Sequence, residues 1–173
     1  MQLRPARPDD VPRLQAIEVA AGTLFAGTPH TFVVDHPPPA ADELLAAAAV
    51  IVAVDDADEP VGYARIELVG GQPHLEQLSV DPAHGRTGIG TALLDAVQAW
   101  AGDRPVTLTT FTDVPFNRPY YERRGFAVVP GDEWTPALRA LVAEEATHGL
   151  DPAVRVVMRR VSTASDASVA SDG

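Results

Sequence analysis

The chain has 173 residues, 46% of them hydrophobic, with 13 basic against 24 acidic side chains for a formal charge of −11. That length suits one domain with a core of its own, and the acidic balance disfavours nucleic acid and anionic membrane surfaces while favouring cationic ligands such as amines. No cysteine and no lysine occurs, which excludes disulfides, thiolate metal sites, an acyl-cysteine intermediate and a phosphate-binding P-loop.

The N-terminus, MQLRPARPDD, has no apolar signal core and no run approaches the ~20 residues that span a bilayer, so a cytoplasmic protein is expected. Leu3 to Ala6 read as a strand, followed by a helix capped by Asp9 or Asp10, with Val11, Leu14, Ile17 and Val19 on its apolar side and its end near Gly22. Gly22 to Pro39 read as a long loop or broken helix of the kind that carries specificity, and Ala40 to Ala49 as a short helix. Val50 to Val54 and Val61 to Val69 form a hairpin around an acidic turn. Gly70 and Gly71 turn the chain into a strand over His74 to Val80. A glycine-bearing loop leads to a helix from Ile89 to Ala101, with Leu93, Leu94, Val97 and Trp100 on one stripe. Val106 to Phe111 is a strand, and Asn117 to Arg124 a short helix stopped by Gly125. Phe126 to Val129 is a strand, Thr135 to Thr147 a helix capped by Thr135 with Pro136 at its first position, and Val154 to Arg160 the last strand. The order is α/β with mixed strands. Residues 1–161 form the domain, and 162–173, STASDASVASDG, lack large apolar groups and read as a disordered tail.

The most informative stretch is HLEQLSVDPAHGRTGIGTALLDAV: strand, Pro-bearing turn, glycine loop and helix start. The first N–H groups of a helix have no partner within it and the dipole places partial positive charge there, so such a junction holds a diphosphate by backbone alone. Gly88 and Gly90 let the phosphates approach, and Arg86 and the Thr87 hydroxyl add a charge and a donor. A dinucleotide-binding loop wants a third glycine where this chain has Leu93.

LSVDPAHGRTGIGTALL resembles the acetyl-CoA-binding signature of the GNAT superfamily of N-acetyltransferases, and YERRGF at Tyr121 to Phe126 resembles its second signature. The resemblance implies a mostly antiparallel mixed sheet of about seven strands flanked by about five helices, with acetyl-CoA between the middle strands. It also implies that the backbone of Leu78, Ser79 and Val80 pairs with the pantetheine arm and that Arg86, Thr87, Gly88, Ile89, Gly90 and Thr91 cradle the diphosphate. Gly85 departs from the Gln or Arg that many members carry at the loop start.

Attack on a thioester needs a neutral amine, and an alkylamine of pKa ~10.4 is only about one part in a thousand neutral near pH 7.4. Strand alternation puts His74, Glu76, Leu78 and Val80 on one face, and Glu76 is the expected base, directly or through a water. His74 is a second choice, since a histidine after Gln72 and Pro73 at a strand start reads as an exposed edge residue. By resemblance Tyr121 protonates the departing thiolate. Tyr120 reads as packing, and Asn117, one turn before Tyr121, either contacts the cofactor or caps its own helix. The expected activity is transfer of acetyl from acetyl-CoA to a small primary amine in a ternary complex, without a metal; nucleic acid and membrane are not expected partners, and a homodimer is compatible with the sequence. A non-catalytic acyl-CoA-sensing module of the same fold is the alternative, against which the retention of both Glu76 and Tyr121 counts.

Overall fold

The computed structural model describes residues 1–161, and the expected polar tail lies outside them. Along the chain run β1 (Gln2–Pro5), α1 (Val11–Gly22), α2 (Ala41–Ala46), β2 (Ala49–Val54), β3 (Pro60–Val69), β4 (Gln72–Val80), α3 (Ile89–Ala101), β5 (Val106–Phe111), α4 (Arg118–Glu122), β6 (Ala127–Val128), α5 (Pro136–Thr147) and β7 (Arg155–Arg160). The strands form one seven-stranded sheet in the order β1-β2-β3-β4-β5-β7-β6. β1 with β2, β2 with β3, β5 with β7 and β6 with β7 are antiparallel. β4 and β5 are neighbours joined through α3, the crossover that a parallel pair requires, so the open sheet is mixed.

The chain falls into two compact units. In the first, Met1–Glu67 with Leu75–Val97, the apolar side of α1 (Val11, Leu14, Ile17) packs with Leu44, Val52, Val54 and Tyr63. Val19, expected on that side, is instead 49% exposed. At about 100° per residue it lies well round the helix from Leu14, whereas Glu18 falls between Leu14 and Val11 and takes the inward position. Nor does Asp10 cap α1 with its side chain. Its carboxylate accepts from the Arg4 guanidinium at 2.7 and 3.0 Å and from the Arg7 N–H at 2.6 Å, because a cation within reach outbids a single backbone donor. Residues 23–35 contain two 3-10 turns, Thr23–Phe25 and Thr31–Asp35. α2 is shorter than expected, since Ala49 is taken into β2 opposite Ile66.

In the second unit, Leu68–His74 with the described residues from Gln98 on, β7 lies between β5 and β6, from Val106↔Arg160 to Phe111↔Arg155 on one side and Ala127↔Arg159 on the other. α5 starts as expected: the Thr135 hydroxyl accepts the Leu138 N–H at 3.2 Å, with Pro136 at the first position. Leu138 and Val142 pack with Val129 and Val157. Within α3, Leu93, Leu94 and Val97 are buried, as their spacing requires.

Candidate active site

In the first unit β4 is followed by Asp81, whose carboxylate holds both the chain ahead of it and α1. One oxygen accepts the Ala83 N–H at 2.9 Å, shaping the 3-10 turn Pro82–His84, and the other accepts from Arg13 at 2.6 Å. These bonds keep the Asp81 carboxyl below its ordinary range, led by the Ala83 N–H and opposed by burial. Arg13 also donates to the Pro60 carbonyl at 3.0 Å, so helix, strand and turn are tied at one point.

The loop beyond has a fixed shape. Arg86 (φ 63°) and Gly88 (φ 90°) are both left-handed, a conformation that costs an L-residue about 1–2 kcal/mol and glycine very little. Arg86, Thr87 and Gly88 are exposed, and a Cβ built on Gly88 meets nothing within 4 Å. The carbonyl of Gly88 accepts the Ala92 N–H at 3.0 Å, which makes Gly88 the residue that opens α3. The Thr87 hydroxyl, expected as a donor to a ligand, donates to the His84 carbonyl at 2.6 Å. Its proton braces the loop instead. Gly85 has its own steric reason, because a Cβ there would stand 3.1 Å from the Pro82 carbonyl oxygen. An exposed guanidinium beside a bent backbone at a helix start suits the diphosphate of an acyl-CoA.

Along β4 the side chains do not alternate simply. Pro73, His74 and Leu75 are all buried, Glu76 is exposed, Leu78 and Val80 are half-buried and Ser79 is buried. In the second unit His74 is 1% exposed rather than at an open edge. Its Nδ1 lies 2.9 Å from the Thr107 hydroxyl oxygen, which itself donates to the Pro73 carbonyl at 3.3 Å. Nδ1 is therefore the protonated nitrogen of a neutral ring. Burial, with a lesser contribution from Arg155, pushes its pKa down to about 4.

Also in the second unit, the Tyr121 ring meets Tyr120 and Phe126 edge-on at 5.2 and 5.7 Å between centroids. Burial raises the Tyr121 hydroxyl above its ordinary pKa, Tyr120 adds to this, and Arg155 and Arg124 oppose it. The group is therefore protonated at neutral pH. Tyr120 packs as expected, with the Arg124 guanidinium 3.6 Å above its ring. Asn117 precedes α4, and its carbonyl accepts from Tyr120 and Tyr121 at 2.8 and 3.2 Å. Its side chain makes no capping bond, so that reading of the residue fails.

A group the motifs do not reveal lies in the first unit. Glu18 accepts from the Tyr63 hydroxyl at 2.9 Å, the Ser79 hydroxyl at 2.6 Å and the Gln77 amide at 2.7 Å. Burial raises its pKa, opposed by the Ser79 and Tyr63 hydrogen bonds. Burial and the adjoining carboxylate hold the Tyr63 hydroxyl in its protonated, donating form. The signal that would have found this network is helical phase: a carboxylate four residues after Leu14 lies on the inward side.

An exposed, left-handed glycine loop thus opens the helix that joins two neighbouring strands of a mixed sheet. Residues 46–128, which include this loop, match the family described as the acetyltransferase (GNAT) domain. The mycothiol acetyltransferase of Clavibacter sepedonicus is 40% identical over 91 residues, 52% of this chain and only 28% of that protein. The PaiA N-acetyltransferase from Thermoplasma acidophilum in complex with coenzyme A has TM-score 0.67 at 14% identity, covering 93% of this chain and 98% of that one. Rv2747 from Mycobacterium tuberculosis in complex with CoA has TM-score 0.63 at 22% identity, covering 94% and 99%. These structures establish a shared fold. Over residues 46–128 the chain is therefore similar to the GNAT acetyltransferases, and it shares the fold of the solved acetyltransferases. Among the described residues no helix is long and apolar enough to cross a membrane.

Proposed function

We propose that this chain is an N-acetyltransferase that moves the acetyl group of acetyl-CoA to the primary amine of a small molecule, by direct transfer within a ternary complex in the cytoplasm. The observation that carries the proposal is the braced loop at Arg86–Gly88, opening α3 inside the span matched by the family. The name of the Clavibacter relative supports acetyl as the group moved. The coenzyme A complexes of the structural neighbours support the carrier.

In this reading the backbone of Leu78, Ser79 and Val80 pairs with the pantetheine arm. The N–H groups of Arg86, Thr87, Gly88, Ile89, Gly90 and Thr91, with the Arg86 guanidinium, hold the diphosphate, and the Asn117 side chain, not used as a cap, contacts the carrier. When bound, acetyl-CoA supplies an acyl carbon activated as a thioester. Glu76, exposed on β4, takes a proton from the acceptor ammonium so that its nitrogen can form the new amide bond. As the carbon–sulfur bond breaks, Tyr121 gives its proton to the sulfur and regains one from the attacking nitrogen, which sheds this second proton to become the amide, a role for which a hydroxyl protonated at neutral pH is suited. His74 is left out as base, because a ring whose pKa is about 4 takes up a proton poorly at neutral pH.

The test is calorimetry with acetyl-CoA followed by a screen of primary amines for CoA release. Micromolar binding and release with at least one amine class are expected. Absence of binding at millimolar acetyl-CoA refutes the proposal, and binding without release for any amine leaves the sensing module.

A further inference from the structure

α4 is only five residues long, Arg118–Glu122. That is far below the ~12–15 residues at which a helix holds itself in water, so something beyond its own hydrogen bonds must fix the ring that Tyr121 carries. Two rings flank that ring edge-on. Phe126, at 5.7 Å, is 4% exposed and is held by the core. Tyr120, at 5.2 Å, is half-buried on the short helix itself, and the core does not enclose it.

Arg124 steadies Tyr120 in two ways. Its Nη1 donates to the Tyr120 carbonyl at 3.0 Å, and the last carbonyls of a helix find no partner within it. Its guanidinium carbon lies 3.6 Å from the centre of the Tyr120 ring, where the π face attracts a planar cation. The Arg124 N–H bonds to the Tyr121 carbonyl at 2.9 Å, and Gly125, left-handed at φ 83°, turns the chain so that the Phe126 N–H reaches the same carbonyl at 3.1 Å. Backbone and side chain of Arg124 therefore hold both tyrosines. The Arg118–Glu122 pair, at 2.7 Å on the exposed side, contributes little by comparison.

The same residue places a charge. From these separations the guanidinium carbon lies within about 9 Å of the centre of the Tyr121 ring, less than the screening length of ~10 Å at 0.1 M salt. Arg155 and Arg124 are the cations that favour the ionised form of Tyr121; Arg155 is bound to Glu145 at 3.0 Å. An acid that gives up its proton becomes an anion, so a fixed cation behind it acts more on the transition state than on the ground state.

We infer that Arg124 and Tyr120 are positioning residues for the proposed acid: the stacked Tyr120 ring fixes the direction of Tyr121, and the guanidinium behind it favours the phenolate left when the proton goes to sulfur. The inference rests on the assignment of Tyr121 in the proposed function, and its test separates the two.

Arg124→Met keeps the length of the side chain and removes charge, stack and carbonyl bond, and Tyr120→Leu removes the ring. With a responsive amine both should lower kcat about tenfold to a hundredfold, the effect of displacing a general acid by about 1 Å, with acetyl-CoA affinity within about threefold of the parent. Arg124→Lys, which keeps the charge, and Tyr120→Phe, which keeps the ring, should each recover most of the loss. Tyr120→Leu gives the same reading if Arg124→Met does not fold. Coupling decides: in a Tyr121→Phe background Arg124→Met should change kcat by less than about twofold, because the group it positions is gone. An equal loss in both backgrounds, or no loss in the parent, overturns the inference, whereas parental turnover in Tyr121→Phe overturns the assignment of the acid instead. A second readout needs no turnover. 3-Fluorotyrosine labels the three tyrosines, Tyr63, Tyr120 and Tyr121, and the fluorine resonance lost in Tyr121→Phe identifies Tyr121. In Arg124→Met that resonance should shift and broaden while that of Tyr63 stays. An unmoved Tyr121 resonance overturns the inference even where no amine is acetylated.

Discussion

Acidification should destabilise this protein through His74. The imidazole is buried against Thr107 and its pKa is pushed down to about 4, mainly by burial, whereas in the unfolded chain it returns to ~6.5. Between these values the unfolded chain binds the extra proton, so stability present above about pH 6.5 is lost as pH falls toward about 4. The full effect is about 3 kcal/mol at about 1.4 kcal/mol per pH unit, and about 2 kcal/mol of it falls between pH 7 and pH 5. Other groups titrate nearby: Asp10 and Asp81 are held low and lose stability at lower pH, while Glu18 is raised and acts with the opposite sign. His74→Asn isolates the imidazole, because its amide nitrogen can replace Nδ1 at Thr107 while carrying no titration of its own. Urea unfolding of parent and variant at pH 7, 6 and 5 gives two stability curves. Their difference should shrink by about 2 kcal/mol from pH 7 to pH 5. A difference constant within about 0.5 kcal/mol would mean that the ring is not buried neutral in solution, and the argument fails.

Gly88→Val should weaken acetyl-CoA binding at least about tenfold by calorimetry, because a β-branched residue resists φ 90° and screens the backbone; equal affinity would reduce the loop to a mere turn. Tyr121→Phe keeps the edge-on contacts with Tyr120 and Phe126 and should lower turnover about 10² to 10⁴-fold with little change in melting or cofactor affinity. Turnover within about threefold of the parent would make Tyr121 a packing residue. Asp81→Ala removes the bonds to Ala83 and Arg13 and should cost about 1–2 kcal/mol in urea unfolding while loosening acetyl-CoA. Arg13→Ala should cost less, about 1 kcal/mol or below, since that side chain is partly solvated; equal losses would contradict the assignment of Asp81 as the anchor.

Elements whose signals are local are legible in the order of the residues. α3 begins at Ile89 and ends at Ala101, and β5 spans Val106–Phe111, because apolar period, glycine and proline act within a few residues. Thr135 caps α5 for the same reason. The glycine loop is equally plain, since a bend that demands left-handed backbone leaves its mark in the residues that tolerate it.

What the chain order does not say is which partner a polar group chooses. Asp10 pairs with Arg4, Thr87 turns to its own loop, and Glu18 meets Tyr63, Gln77 and Ser79, residues 45 to 61 positions away. His74 reads as an edge residue because its neighbours suggest a strand start, yet β5 beside it supplies Thr107 and covers the ring. The sequence alone thus determined the elements, the family resemblance and the left-handed glycine loop, all of which depend on near-neighbour sterics and periodicity. Only the tertiary structure decided the protonation of His74 and Tyr121 and the setting of Glu18, because desolvation and charge depend on groups that chain distance does not measure.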